Sequence, residues 1–116
     1  MNDTDIIGTH MLITLKNTPN SSVLERIENV KPLLDTIVEK CDLHVVSETG
    51  YQFEPFGATY VYVLSESHMS IHTYPEKNAA YMDIFCCNPD FDCAAAAVAI
   101  RDAFQTQDVD YKVFYR

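Results

Sequence analysis

The 116-residue sequence has no tryptophan, only three glycines, and only eight basic residues against seventeen acidic ones. Its net charge of −9 argues against nucleic-acid binding, because that function needs a basic face. No apolar run approaches the roughly eighteen residues that a membrane-spanning helix requires. Residues 1–5 also lack the basic segment that opens a signal peptide. These absences predict a cytoplasmic protein without a membrane or nucleic-acid partner.

The sequence also lacks cysteines at the spacing that is typical of a metal site. The four cysteines, Cys41, Cys86, Cys87 and Cys93, do not follow the pattern of a zinc site. We therefore expect free thiols and no bound metal, as is usual in a reducing compartment. The sequence has no low-complexity segment, and its length predicts a single domain covering residues 1–116.

Hydrophobic periodicity predicts the order strand, helix, four strands, helix, strand. The strands are expected at residues 8–17, 42–49, 58–64, 68–74, 79–86 and 108–115. Ser22 and Glu25 should form a capping box that opens the first helix, which Pro32 should kink or split. Asn88 and Pro89 should open the second helix. This order predicts an α+β fold, a two-layer α/β sandwich with a mostly antiparallel sheet and two main helices on one face. The uncovered face of the sheet predicts a homodimer.

Reactive side chains are concentrated after the third predicted strand, where Glu66, Ser67, His68 and His72 lie within seven residues. A metal site at His68 and His72 is disfavoured, because on a strand the two residues lie about 13 Å apart. A serine hydrolase is disfavoured too, because no Gly-x-Ser-x-Gly elbow surrounds Ser67. A third interpretation is self-cleavage of the Glu66–Ser67 bond. That reaction needs a hydroxyl on a strained turn, donors to an oxyanion and a base.

Three segments resemble one known family. Residues 66–76 read ESHMSIHTYPE and resemble the signature Glu-Ser-His-x-(Ser/Thr)-Ile-His-Thr-Trp-Pro-Glu of the short prokaryotic S-adenosylmethionine decarboxylases. Residues 83–87 read DIFCC and are similar to the family's Asp-(Leu/Val)-Phe-Thr-Cys segment at the same distance. Residues 53–59 read FEPFGAT and are similar to its Phe-x-Pro-(Tyr/Phe)-Gly-x-Ser segment. The resemblance implies an α/β sandwich that dimerises.

The resemblance also implies a pyruvoyl-dependent carboxy-lyase that is made as a zymogen. Cleavage between Glu66 and Ser67 would give a β chain, residues 1–66, and an α chain, residues 67–116. Ser67 would become the pyruvoyl group, whose ketone forms a Schiff base with the substrate amine and draws electrons as carbon dioxide leaves. The product would be decarboxylated S-adenosylmethionine, the aminopropyl donor for spermidine and other polyamines.

Roles for further residues follow from the same resemblance. His72 matches the processing base, and Thr59 stands where the family usually has a processing serine. Cys87 matches the proton donor to the substrate carbon, the alternative being a buried structural thiol.

Substrate contacts are implied at three positions. Phe53 matches an aromatic residue that stacks on adenine, Glu76 matches a carboxylate that holds the ribose hydroxyls, and Tyr74 replaces the usual tryptophan. For the two aromatic residues, ordinary packing is the alternative.

Residues 77–81 read KNAAY where the family has Tyr-Gly-Tyr-Ala-Ala. The same chemistry on arginine or ornithine therefore stays open. Thr59 in place of the usual serine, and Asn88 in place of the family's usual glycine, leave a non-catalytic relative open as well.

Overall fold

The structure, a computed structural model, describes residues 6–116. Over this range the chain forms six β-strands and two α-helices. In chain order they are β1 (Thr9–Lys16), α1 (Ile27–Lys40), β2 (Val45–Gln52), β3 (Ala58–Leu64), β4 (Ser67–Tyr74), β5 (Ala79–Cys86), α2 (Cys93–Phe104) and β6 (Val109–Tyr115). Short 3-10 turns at Ser21–Leu24 and Pro75–Lys77 precede α1 and β5. Within the described residues, no helix is long and apolar enough to cross a membrane.

The strands form one sheet in the order β2-β3-β4-β5-β1-β6, with every neighbouring pair antiparallel. Alternation along β4 separates its two faces: Met69 and Ile71 are buried, whereas His72 is exposed. The buried face joins the inner faces of α1 and α2 in one apolar core. Complete burial of one such side chain contributes about 1.5–3 kcal/mol. The predicted sandwich, with both helices on one face, is therefore confirmed.

The start of α1 differs from the sequence prediction. Ser22 does not cap the helix. Instead, its backbone N–H donates to the side chain of Asn20 at 3.0 Å within the 3-10 turn. α1 begins at Ile27, whose N–H donates to the side chain of Gln52 on β2 at 2.7 Å. Because this tertiary contact places the start later, Pro32 falls in the second turn, and the helix continues through it.

The start of α2 was also predicted wrongly. The side chain of Asn88 accepts from the N–H of Asp90 at 2.9 Å, which forms a local turn that competes with a helix. The cap is Asp92, which accepts from the N–H of Ala95 at 3.0 Å. The buried face of α2 consists of Ala96, Ala97, Ala99, Ile100 and Phe104.

The other face of the sheet is uncovered and partly apolar. Leu12, Val63, Tyr81 and Phe114 are each between 43% and 49% exposed on it. Strand register places all four on the same side as Asp83. Clustered apolar side chains on a surface are typical of a protein interface. The fold therefore leaves a face suitable for the predicted second copy. We call it the open face.

Candidate active site

The hairpin between β3 and β4 contains the peptide bond that we predict to be cleaved. Ser65 and Glu66 form its turn, and Ser67 begins β4 with a φ of +150°. A positive φ is uncommon for residues other than glycine and costs on the order of 1–3 kcal/mol. The backbone is therefore strained on the serine side of the Glu66–Ser67 bond.

Cys87 contacts both residues of this bond. Its backbone N–H donates to the carbonyl oxygen of Glu66 at 2.9 Å. Its Sγ lies 3.3 Å from Oγ of Ser67. A donor on the carbonyl oxygen makes the carbon more electrophilic and stabilises the oxyanion that an attack would form. This arrangement can promote attack by the serine hydroxyl on the preceding carbonyl.

His44, which sequence reasoning missed, holds the side chain of Glu66. Its backbone N–H donates to Oε1 at 3.1 Å, and its Nδ1 lies 2.6 Å from Oε2. This hydrogen bond raises the pKa of His44 and lowers the pKa of Glu66. The Glu66 side chain is 13% exposed, whereas that of His44 is 64% exposed. No sequence motif contains His44. Its contact with Glu66 arises because β2, which follows His44, pairs with β3, which precedes Glu66.

A second group of predicted site residues lies towards the other end of β4. Thr59 on β3 is paired with His72 on β4, and its Oγ1 lies 2.7 Å from Nδ1 of His72. The ring of Phe53 meets the His72 imidazole edge-on, with centroids 5.7 Å apart. Tyr74 and Glu76 follow at the end of β4 and are exposed. The structure therefore brings Thr59, His72 and Phe53 together at this end of the strand.

The two groups do not meet within one chain. His72 lies five residues beyond Ser67 on β4, which corresponds to about 17 Å of strand. His68 and His72 likewise lie four residues apart on this strand, so the structure does not bring them together as a metal pair. A role for His72 in the chemistry of Ser67 consequently requires a second chain.

A further polar cluster joins three strands on the open face. Asp83 accepts from Nε2 of His10 at 2.8 Å, from Nε2 of His68 at 2.9 Å, and from Ser70. Burial alone would raise the pKa of Asp83, but these hydrogen bonds hold it below its ordinary value. The two histidines and Asp83 are close enough to share an ion. Arg116, however, donates to Nδ1 of His10 at 3.3 Å, which leaves Nε2 protonated and favours hydrogen bonding to Asp83 over metal ligation.

Cys87 differs from the other cysteines in accessibility. Burial raises the pKa of Cys41 to about 11 and also raises those of Cys86 and Cys93. Cys87 is exposed. A raised pKa lowers the thiolate fraction and therefore the reactivity of a thiol. Of the four cysteines, Cys87 is the one whose side chain is exposed.

A cavity of about 430 Å³ adjoins Cys87, with Ile7, Pro89 and Tyr115 among its walls. This volume lies in the usual range for small-molecule sites. Cys87 lines this cavity, and its Sγ lies 3.3 Å from Oγ of Ser67.

Fold and site together define a small α+β sandwich protein in which a hairpin serine follows a peptide carbonyl that is hydrogen-bonded to the Cys87 amide. The sequence profile described as S-adenosylmethionine decarboxylase matches residues 9–116. The chain belongs to this family of carboxy-lyases, as the resemblance predicted.

Individual relatives are S-adenosylmethionine decarboxylase proenzymes. The chain is 39% identical over 99 residues to that of Thermodesulfovibrio yellowstonii, covering 85% of this chain and 73% of the relative. It is 37% identical over 110 residues to that of Hydrogenobaculum sp., covering 95% and 81%. The crystal structure of the adenosylmethionine decarboxylase from Aquifex aeolicus matches with a TM-score of 0.85 at 32% identity, covering 96% of this chain and 91% of that one. These relatives give no support to the arginine or ornithine alternative.

Proposed function

We propose that this chain is a proenzyme that cleaves itself between Glu66 and Ser67 and then decarboxylates S-adenosylmethionine with a pyruvoyl group. The observation that carries the proposal is the placement of Cys87, with its amide on the Glu66 carbonyl and its thiol beside the Ser67 hydroxyl. The relatives are named S-adenosylmethionine decarboxylase proenzymes, and this name supports both the substrate and the self-processing that we propose.

Self-cleavage begins with attack by Oγ of Ser67 on the carbonyl carbon of Glu66. The C–O bond forms as the C–N bond breaks, and the proton of the hydroxyl passes to the released nitrogen. The acyl group thus moves from nitrogen to oxygen and leaves an ester. A base then removes the α-proton of residue 67, and the Cβ–Oγ bond breaks with its electron pair going to Glu66 as a carboxylate. Water replaces ammonia at the resulting dehydroalanine and leaves a pyruvoyl terminus. The products are a β chain of residues 1–66 and an α chain of residues 67–116.

The residues of this chain fit a pyruvoyl group at position 67. The group supplies a carbonyl that condenses with the substrate amine and accepts electrons as carbon dioxide leaves. The exposed Cys87 thiol, 3.3 Å from the Ser67 oxygen, can then deliver a proton to the substrate carbon.

A homodimer would complete this site. His72 and Thr59 lie too far from Ser67 in their own chain, as the length of β4 dictates. A two-fold axis that passes near Ser70, between residues 67 and 72, would place His72 of the partner subunit beside Ser67. Ser70 lies on the partly apolar open face, so this arrangement would also bury that face. In the dimer, His72 is the base for α-proton removal, and Thr59 holds its imidazole.

The same dimer would also explain the proposed substrate contacts. Phe53 lies against His72, so it would approach the site together with that residue and stack on the adenine ring. The exposed Glu76 would accept hydrogen bonds from the ribose hydroxyls, with Tyr74 as a second aromatic wall.

Release of carbon dioxide from carboxyl-labelled substrates tests the function directly. The purified protein is incubated separately with labelled S-adenosylmethionine, arginine and ornithine. We expect release from S-adenosylmethionine, with little from either amino acid. Release from arginine or ornithine alone would reassign the substrate while preserving the chemistry. No release from any of the three would identify a non-catalytic relative.

A further inference from the structure

His44 fixes the hairpin turn at the cleavage bond by contacts that involve three different atoms. Its carbonyl accepts from the N–H of Ser65 at 2.8 Å. Its own N–H and its Nδ1 bind the two carboxylate oxygens of Glu66 at 3.1 Å and 2.6 Å. On the other side of the turn, Cys87 donates to the Glu66 carbonyl. Glu66 is thus held from both ends, by its side chain and by its main chain.

We propose that His44 is a positioning residue for self-cleavage, which keeps the Glu66 carbonyl on the Cys87 amide while Ser67 attacks. The inference rests on the proposed self-cleavage at this bond. A turn residue without its side-chain anchor can rotate its peptide plane, and then the carbonyl loses its donor and its alignment with the hydroxyl. His44 therefore acts through Glu66 and does not touch the reacting atoms.

The positive charge of the His44 imidazolium would favour self-cleavage in a second way. When the ester eliminates, residue 66 becomes a chain terminus and acquires an α-carboxylate beside its side-chain carboxylate. An imidazolium at His44 offsets this new negative charge and stabilises the leaving carboxylate. Within the described residues, the charged side chains facing His44 are Glu66 and Asp42, the latter 3.7 Å from Nε2. Both favour the charged imidazole.

The sign of the pH dependence follows from these contacts. The pKa of His44 is raised, chiefly by its hydrogen bond to Glu66, so the imidazolium persists above the ordinary histidine range. Its contribution is fully present at low pH, as long as Glu66 stays ionised, and is lost as pH rises through the raised pKa. The neutral ring can still donate from Nδ1, so only the charge-assisted part disappears.

Two substitutions of His44 separate the effect of positioning Glu66 from the effect of the imidazolium charge. His44→Ala removes the Nδ1 donor, whereas His44→Asn keeps a donor near that place but cannot carry a charge. Cell-free synthesis of each full-length chain, followed by intact-mass measurement at timed intervals, gives the cleavage rate. We expect His44→Ala to slow cleavage roughly fivefold, the size of an exposed charge-assisted contact. His44→Asn should restore most of the rate at pH 9 but not at pH 6.

The rate ratio of wild type to His44→Asn is the decisive readout, because base-catalysed steps common to both chains cancel in it. We expect this ratio to fall as pH rises. Asp42→Asn, which changes an exposed and longer contact, is the matched control and should cleave at the wild-type rate. Each substitution is also made in a Ser67→Ala chain, whose thermal midpoint reports folding without cleavage.

Failure of the proposed function and failure of the proposed role of His44 give different results. If the wild-type chain never cleaves, the proposed function fails. If the wild-type chain cleaves and His44→Ala cleaves equally fast, with the same pH profile, then only the role of His44 is overturned. Slow cleavage that His44→Asn does not rescue at any pH would also overturn it, since that result would indicate a packing defect.

Discussion

Cys87 contributes two atoms whose roles are separable by mutation. Its amide nitrogen, which contacts the Glu66 carbonyl, remains after any side-chain change. Its Sγ, which lies beside Ser67, does not. Cys87→Ala should therefore cleave itself normally but lose turnover by about 100-fold or more, the usual range for removal of a general acid. The measurement is carbon dioxide release per cleaved chain, with intact Ser67→Ala as the inactive control. Normal turnover in Cys87→Ala would remove the thiol from the mechanism.

Candidate site residues could be chosen from the sequence, whereas the contacts that support them could not be predicted. Ser67, His72 and Cys87 were proposed from the sequence because the segments that contain them resemble motifs of the decarboxylase family. His44 was missed because its contact joins residues 22 positions apart and has no local signature. The amide of Cys87 was also missed, since every residue except proline offers an N–H and only the fold aims one at a carbonyl.

Among the elements, strands with one buried face were predicted best. The bounds of β3 and β5 agree with the sequence pattern, because their alternation reflects burial by the helices. β2 begins later than predicted, at Val45. It is an edge strand that is exposed along nearly its whole length, so no alternation marks its ends.

Helix starts were predicted poorly because several polar residues competed for the cap. Ser22 and Asn88 both have cap chemistry, yet each is used in a local turn instead. Gln52 supplies the partner for the first N–H of α1 from a strand distant in sequence. Such a cap depends on tertiary structure, and a local pattern cannot contain it.

At the scale of the whole molecule, the length of β4 separates Ser67, at one end, from His72, the base that we propose, towards the other. This division predicts that Ser67→Ala and His72→Ala chains complement each other. In a mixed dimer, Ser67 of the His72→Ala chain meets an intact His72 of the partner subunit. The two chains carry different tags, are co-expressed, and are examined by mass after purification through both tags.

We expect cleaved His72→Ala chains in the mixed dimers, and almost none when either variant is expressed alone. The Ser67→Ala chain should stay intact in every sample and serves as the internal control. If the His72→Ala chain remains whole in mixed dimers, His72 does not act across the subunit interface.

The most direct test of the central claim is the intact mass of the freshly purified protein under denaturing conditions. We predict two fragments that divide the chain between Glu66 and Ser67. The second fragment should be lighter than a serine-started chain by the conversion to a pyruvoyl terminus, a net loss of one ammonia. A single uncleaved chain that persists on long incubation, or a second fragment that begins with unmodified serine, would contradict the account.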